Sequence, residues 1–248
     1  MSKDGMLMPV KMALSKYMTN WYSGLYASTP SLDEFVARGI SRSIMYVPGR
    51  MLDDAEKMLE LYRKASMGLT GANSLFPIVL IAMAKEWVPV AEAFGHQVGD
   101  RQMVALVDDP NASVYGYRQS MGEVRTQAAI FASDEPTAKA LAAQLSLFIG
   151  AIGNRRFTAN FTWGQYQLPM PVMVDSPQVS WLSVATGEPN LTVLAGDIQL
   201  NATFPFLDAP APGEANDGTT NVPPGYPVIG GINISGVVAP INPVVPLQ

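Results

Sequence analysis

Residues that could carry chemistry are few in this chain and far apart. Histidine occurs once, as His96 in "FGHQVGD", and cysteine is absent. That removes disulfides, thiolate nucleophiles, cysteine–zinc sites and any centre needing two imidazoles. With no obvious orienting carboxylate beyond Asp100, His96 reads as a loop residue. The rival reading makes it the working group of a hydrolase, served by the acidic pairs Asp53/Asp54 and Asp108/Asp109. Adjacent carboxylates diverge on a helix or a strand, so each pair reads as solvated surface and not as an acid–base couple or cation site. "GLTGANS", Gly68 to Ser74, has the glycines of a phosphate-cradling loop but lacks the Lys-Ser/Thr ending, and it follows a helical pattern instead of a strand. It reads as a turn. Arg155-Arg156 either grips carboxylates of a neighbouring molecule or forms a solvated turn. No catalytic residue, metal site or cofactor is expected.

Composition points to contact surfaces. The chain has 248 residues, long enough for a substantial core, with 48% hydrophobic and 15% charged residues. Its mean hydropathy is +0.13. A free surface usually carries more charge, so partners are expected to cover much of this one. All 16 Lys and Arg lie at or before Arg156, whereas acids continue through Asp175, Glu188, Asp197, Asp208, Glu214 and Asp217. The C-terminal part therefore cannot form a basic face, and specific nucleic-acid binding is not expected. The longest apolar run, Leu75 to Ala84, is about half the roughly 20 residues of a membrane-crossing helix, so no membrane segment is expected. The first residues lack the continuous apolar stretch of a secretory signal and read as mature and non-secreted.

Three regions would position these residues: a helical part over 1–72, a sheet domain over 73–208 and an extended arm over 209–248. Apolar residues Val10, Ala13, Leu14, Tyr17, Met18 and Trp21 predict an amphipathic helix from Pro9 to about Tyr22. "SLDE", Ser31 to Glu34, suggests a capping box for a short helix stopped by Gly39, and a further helix is expected from Met51 to about Met67. Short strands are predicted at Ile78–Ala82, Gln102–Val107, Val114–Arg118 and Val124–Ala132. Ser133/Asp134 then caps a helix whose stripe is Ala138, Leu141, Ala142, Leu145, Phe148 and Ile149, lying on a sheet. Phe157, Ala159, Phe161 and Trp163 alternate with polar residues, and Val179–Val184 is another strand. In "LTVLAGDIQLNATFPF" the apolar set moves from odd to even positions across Gly196-Asp197, which predicts a β-bulge there. The order of elements predicts an α+β fold with a mixed or antiparallel sheet and one crossing helix.

The arm holds eight Pro and six Gly in residues 209 to 248, too many for a helix or a central strand. Fully extended it would reach about 130 Å, far past the radius of its own domain. Its apolar side chains Tyr226, Val228, Ile229, Ile232, Ile234, Val237, Val238, Ile241, Val244, Val245 and Leu247, together with Arg155 and Arg156, are the candidate subunit-interface residues.

The stretch from Leu75 to Leu207 resembles structural proteins of tailed-bacteriophage virions, especially contractile-tail baseplate, tube-associated and neck proteins. "RTQAAIFASDEPTAKALAAQLSLF", "RRFTANFTWG" and "NLTVLAGDIQLNATFPFL", with the long arm behind them, carry the resemblance. It implies a non-enzymatic virion component that forms a ring with copies of itself, commonly sixfold, and contacts other tail or baseplate proteins. It implies location in the virion after assembly in the host cytoplasm. Within that class the alternative is a neck or tail-terminator ring at the head–tail junction.

Overall fold

Pro9 suits the first turn of α1 (Met8–Ser23), and the six side chains placed on one stripe by the helical spacing are the six that are buried. The computed structural model describes residues 5–47, 76–84, 86, 88–90, 98–105, 114–163, 166–185 and 190–208, with the pairs 233–234 and 237–238. The next helix, α2 (Pro30–Ala37), starts before the expected capping box. Thr29 is its N-cap, with Oγ1 accepting the Leu32 N–H at 3.2 Å, and Pro30 takes the first helical position. Ser31 lies inside the helix, and its hydroxyl donates to Asp134 instead. Gly39, at φ 85°, follows the last turn as anticipated. A one-turn helix, α3 (Ile40–Ser43), then leads into β1 (Ile44–Val47), a strand the mainly helical reading of this region missed. The helix expected over 51–67 lies outside the described residues.

The remaining strands are β2 (Ile78–Met83), β3 (Val88–Pro89), β4 (Val98–Ala105), β5 (Val114–Ala132), β6 (Arg156–Trp163), β7 (Tyr166–Val174), β8 (Trp181–Val184) and β9 (Thr192–Asp208), with helix α4 (Glu135–Gly150) between β5 and β6. Residues 114–118 and 124–132, expected as two strands, belong to the single 19-residue β5. Gly116–Ala132 pair antiparallel, one for one, with Asp208–Thr192, so β5 and β9 form a continuous ribbon. Along its β5 edge lie β2, β3 and β4 in succession, and along its β9 edge lie β8 and β7. Outside these, β1 adds to β2 in parallel and β6 adds to β7 antiparallel. The architecture is α+β: N-terminal helices followed by a mixed sheet.

The register across Gly196-Asp197 is unbroken, which overturns the predicted bulge. Its apparent phase shift has another cause. Val193 belongs to a second apolar cluster with Ile78, Leu80, Ala82, Ala129 and Phe131, on the face opposite the main core. From Ile198 onward the even-numbered set, Ile198, Leu200, Ala202 and Phe204, packs into that main core. Leu194 already packs into that core, so the even-numbered face is covered on both sides of Gly196; it is the second face that loses its cover, with Val193 and Ala195 buried and Asp197 exposed, while the strand stays in step. Gly196 is retained for close approach: a Cβ there would lie 2.6 Å from Val179 Cγ1 and 3.0 Å from the Trp181 ring.

On the main face, α4 buries Ala138, Leu141, Ala142, Leu145 and Ile149, and Asp134 caps it by accepting the Thr137 N–H at 2.8 Å. Tyr17 of α1 stacks on Phe157 of β6 at 4.8 Å between ring centres and meets Phe148 of α4 edge-on at 4.9 Å. Gln144 of α4 brackets the Tyr26 backbone, accepting its N–H at 2.8 Å and donating to its carbonyl at 3.0 Å. The N-terminal helices thus share one apolar core with the sheet.

Candidate assembly surface

Three prolines shape the sheet beside β6. The Val174 N–H donates to the Arg155 carbonyl at 2.9 Å, so even-numbered residues of β7 direct their backbone toward β6 and odd-numbered ones, Pro169 and Pro171 among them, toward β9. The Asp175 N–H donates to the Gln199 carbonyl at 2.9 Å, which turns odd-numbered residues of β9, including Pro205, toward β7. All three missing N–H groups therefore fall on one seam. Pairing across it is confined to Val172–Val174 with Ala202–Leu200. Where pairing is absent, a cavity of about 240 Å³ opens, lined by Phe161, Trp163, Leu168, Pro205, Leu207 and Asp208 among others, with Met6 and Pro9 from the N-terminal side.

The same hydrogen-bond phase defines the outer edge of β6. Its odd-numbered residues bond to β7, so the N–H and C=O groups of Arg156, Thr158, Asn160 and Thr162 point away from the sheet. No strand among the described residues pairs with that edge. Edge strands are usually blunted by lysine, proline, bulges or shortness. Strand β4 conforms, with the exposed Asp100 beside an irregularity in its register between Val98 and Gln102. Strand β1 is only 4 residues long. Strand β6 has 8 residues, a charge only at Arg156 and no proline or glycine. Alongside it runs a groove of about 410 Å³, walled by Pro9, Met12, Ala13, Lys16, Tyr17 and Asn20 of α1 and by Phe157, Thr158 and Asn160 of β6. Met12 stands 68% exposed on this groove, a large apolar side chain left in water.

The two candidate arginines separate in role. Arg155 is half-buried and donates to the Gly150 carbonyl at 3.1 Å, while Asn154 donates to the Phe148 carbonyl at 2.9 Å. Together they satisfy the last turn of α4 and pin it to the start of β6. Arg156 is exposed. Ile234, Val237 and Val238 lie on a hairpin in which β10 (Asn233–Ile234) pairs antiparallel with β11 (Val237–Val238). The other arm residues, Tyr226, Val228, Ile229, Ile232, Ile241, Val244, Val245 and Leu247, lie outside the described residues. So do His96, Asp53/Asp54, Asp108/Asp109 and "GLTGANS".

Charged and titrating groups are sparse around this surface. Burial raises the Tyr17 phenol well above its ordinary range, and its hydroxyl has no hydrogen-bond partner. On the opposite side of the ribbon, Asp197 accepts from Arg125 at 2.6 Å and from Gln127 at 2.7 Å; the Asp197 contact raises Arg125 further. Among the described residues no three His, Cys, Asp or Glu side chains converge as metal ligands would. No described helix is long and apolar enough to cross a membrane.

No protein-family model and no curated protein matches this sequence. The alternation of β6 was legible in the sequence, but its position at the end of the sheet was not, because that depends on β7. Strand β7 itself went unrecognised: its prolines disguise the alternation of Tyr166, Leu168, Met170, Val172 and Val174.

Proposed function

We propose that this protein is a non-enzymatic structural subunit that assembles with copies of itself through sheet edges and its apolar C-terminal arm. On the strength of the resemblance noted above, we place it in the tail or baseplate of a tailed-bacteriophage virion, as a ring, commonly sixfold, assembled in the host cytoplasm. The observation that carries the reading is the β6 edge, a row of backbone donors and acceptors that no strand among the described residues pairs with, beside an exposed methionine. Such an edge is a template for another chain. The low charge and the cysteine-free composition agree with a protein whose surface is covered by neighbours.

The test is the mass of the purified protein over a concentration series, with and without residues 209–248. A closed oligomer that disappears on truncation is expected. A full-length protein that stays a monomer at every concentration would refute the reading. Finding the protein by antibody at one end of purified particles would separate a baseplate ring from a neck ring.

A further inference from the structure

We infer that the groove between α1 and the outer edge of β6 is the acceptor for the arm of a second copy of this chain, which adds to β6 as a further strand. The inference rests on the self-assembly reading and gives it a site. Three observations select this occupant. First, the donors and acceptors of Arg156, Thr158, Asn160 and Thr162 face outward along 8 residues of strand, enough for a regular ladder. Second, the longest proline-free run in the arm, Val228 to Ala239, carries no charge and contains a hairpin of two residues per strand. A ladder that short is marginal alone, and among the described residues nothing else pairs with it. Third, Asp208, from which the arm departs, lines the same cavity as Phe161 and Trp163 at one end of β6. In a ring, arms leaving beside one acceptor edge can exchange between neighbours at little cost.

Strand addition leaves a signature that simple apolar contact does not. Only alternate amides of β6 should respond, because those of Phe157, Ala159 and Phe161 already bond to β7. The experiment is residue-resolved amide hydrogen exchange on the full-length protein, assembled and then diluted to single copies. In the assembly, the amides of Thr158, Asn160 and Thr162 should exchange at least about tenfold more slowly than in single copies, with the intervening amides unchanged. The full-length arm variant Ile232→Asp/Ile234→Asp should lose that protection. A second variant, Asn160→Pro, deletes an outward donor without touching the β6–β7 ladder. It should keep the thermal transition of native single copies, compared at the same dilution, and lose assembly.

Each other outcome decides something different. Protection of the alternate amides that persists in single copies would mean the arm docks on its own chain; the inference of a second copy as donor would fall, and with it the part of the self-assembly reading that runs through the arm. If those amides exchange freely in an assembly that still depends on the arm, the groove assignment falls and self-assembly stands.

Discussion

Replacing Gly196 by alanine tests whether this glycine is held by contact or by backbone shape. Gly196 pairs with Trp181 across β8 and β9, and an added Cβ would sit 2.6 Å from Val179 Cγ1, 3.0 Å from Trp181 Cε3 and 3.1 Å from Trp181 Cδ2. Carbon atoms pack best at about 3.5–4.0 Å, so Val179 would have to withdraw by about 1 Å and the indole by about half as much. Neither moves freely. Valine is stiff at χ1, and the Trp181 indole N–H donates to the Ser146 hydroxyl of α4 at 2.8 Å. Overpacking of this kind costs about 1–3 kcal/mol, against which alanine recovers about 0.4–1 kcal/mol by restricting the unfolded chain. A net loss of about 1–2 kcal/mol is expected, read as a lower midpoint in urea at unchanged slope. Adding Val179→Ala should recover about 1 kcal/mol, a coupling visible in a double-mutant cycle. If Gly196→Ala is neutral, or if Val179→Ala gives no rescue, the close-approach explanation is wrong.

Other substitutions follow from the same packing. Tyr17→Phe removes a buried hydroxyl that has no partner and should leave stability unchanged or raise it by about 1 kcal/mol in thermal or urea unfolding. Tyr117 is pushed up to about 12 by burial, above the value near 10 of an unfolded tyrosine; its contribution is complete below about pH 10 and is lost as pH climbs toward 12. Stability measured between those values should therefore fall, with a shallower fall in Tyr117→Phe. Asp134→Ala deletes the N-cap of α4 and should cost about 1 kcal/mol in urea, whereas Asp134→Asn should cost less. Asp197→Ala breaks an ion pair whose side chains are about half exposed, and should change the same midpoint by less than about 1 kcal/mol.

Helices α1 and α4 were legible because each is a one-sided stripe on a single face of the sheet, and β6 because one of its faces is wet. Period then equals burial. Strand β2, covered on both faces, shows only a continuous apolar run, and that signature locates a strand without saying which neighbours it has. The Gly196 region misled for a related reason, since a strand covered on both faces before the glycine and on one face after it imitates a slip in register. The prolines of β7 hid a strand because proline argues against a central position, and only the direction of the unpaired seam reveals why they are tolerated. Thr29 was overlooked as a cap because Ser31 and Glu34 form a better-known pattern two residues on. The outer edge of β6 could not be read locally at all, because being last in a sheet is a property of topology.

The long ribbon also imposes an order on biosynthesis. Strand β5 is complete at Ala132, but the strand that covers its second edge begins only at Thr192, about 60 residues later. At roughly 5–20 residues per second, a ribosome takes about 3–12 s to deliver it. Throughout that interval one flank of a nineteen-residue strand has no native mate. Because the decisive contacts join positions so distant along the polypeptide, closure belongs to the slow regime of folding. Nascent chains crowded on one messenger would meet with these flanks still bare, so the yield of native protein should depend on the spacing of translating ribosomes.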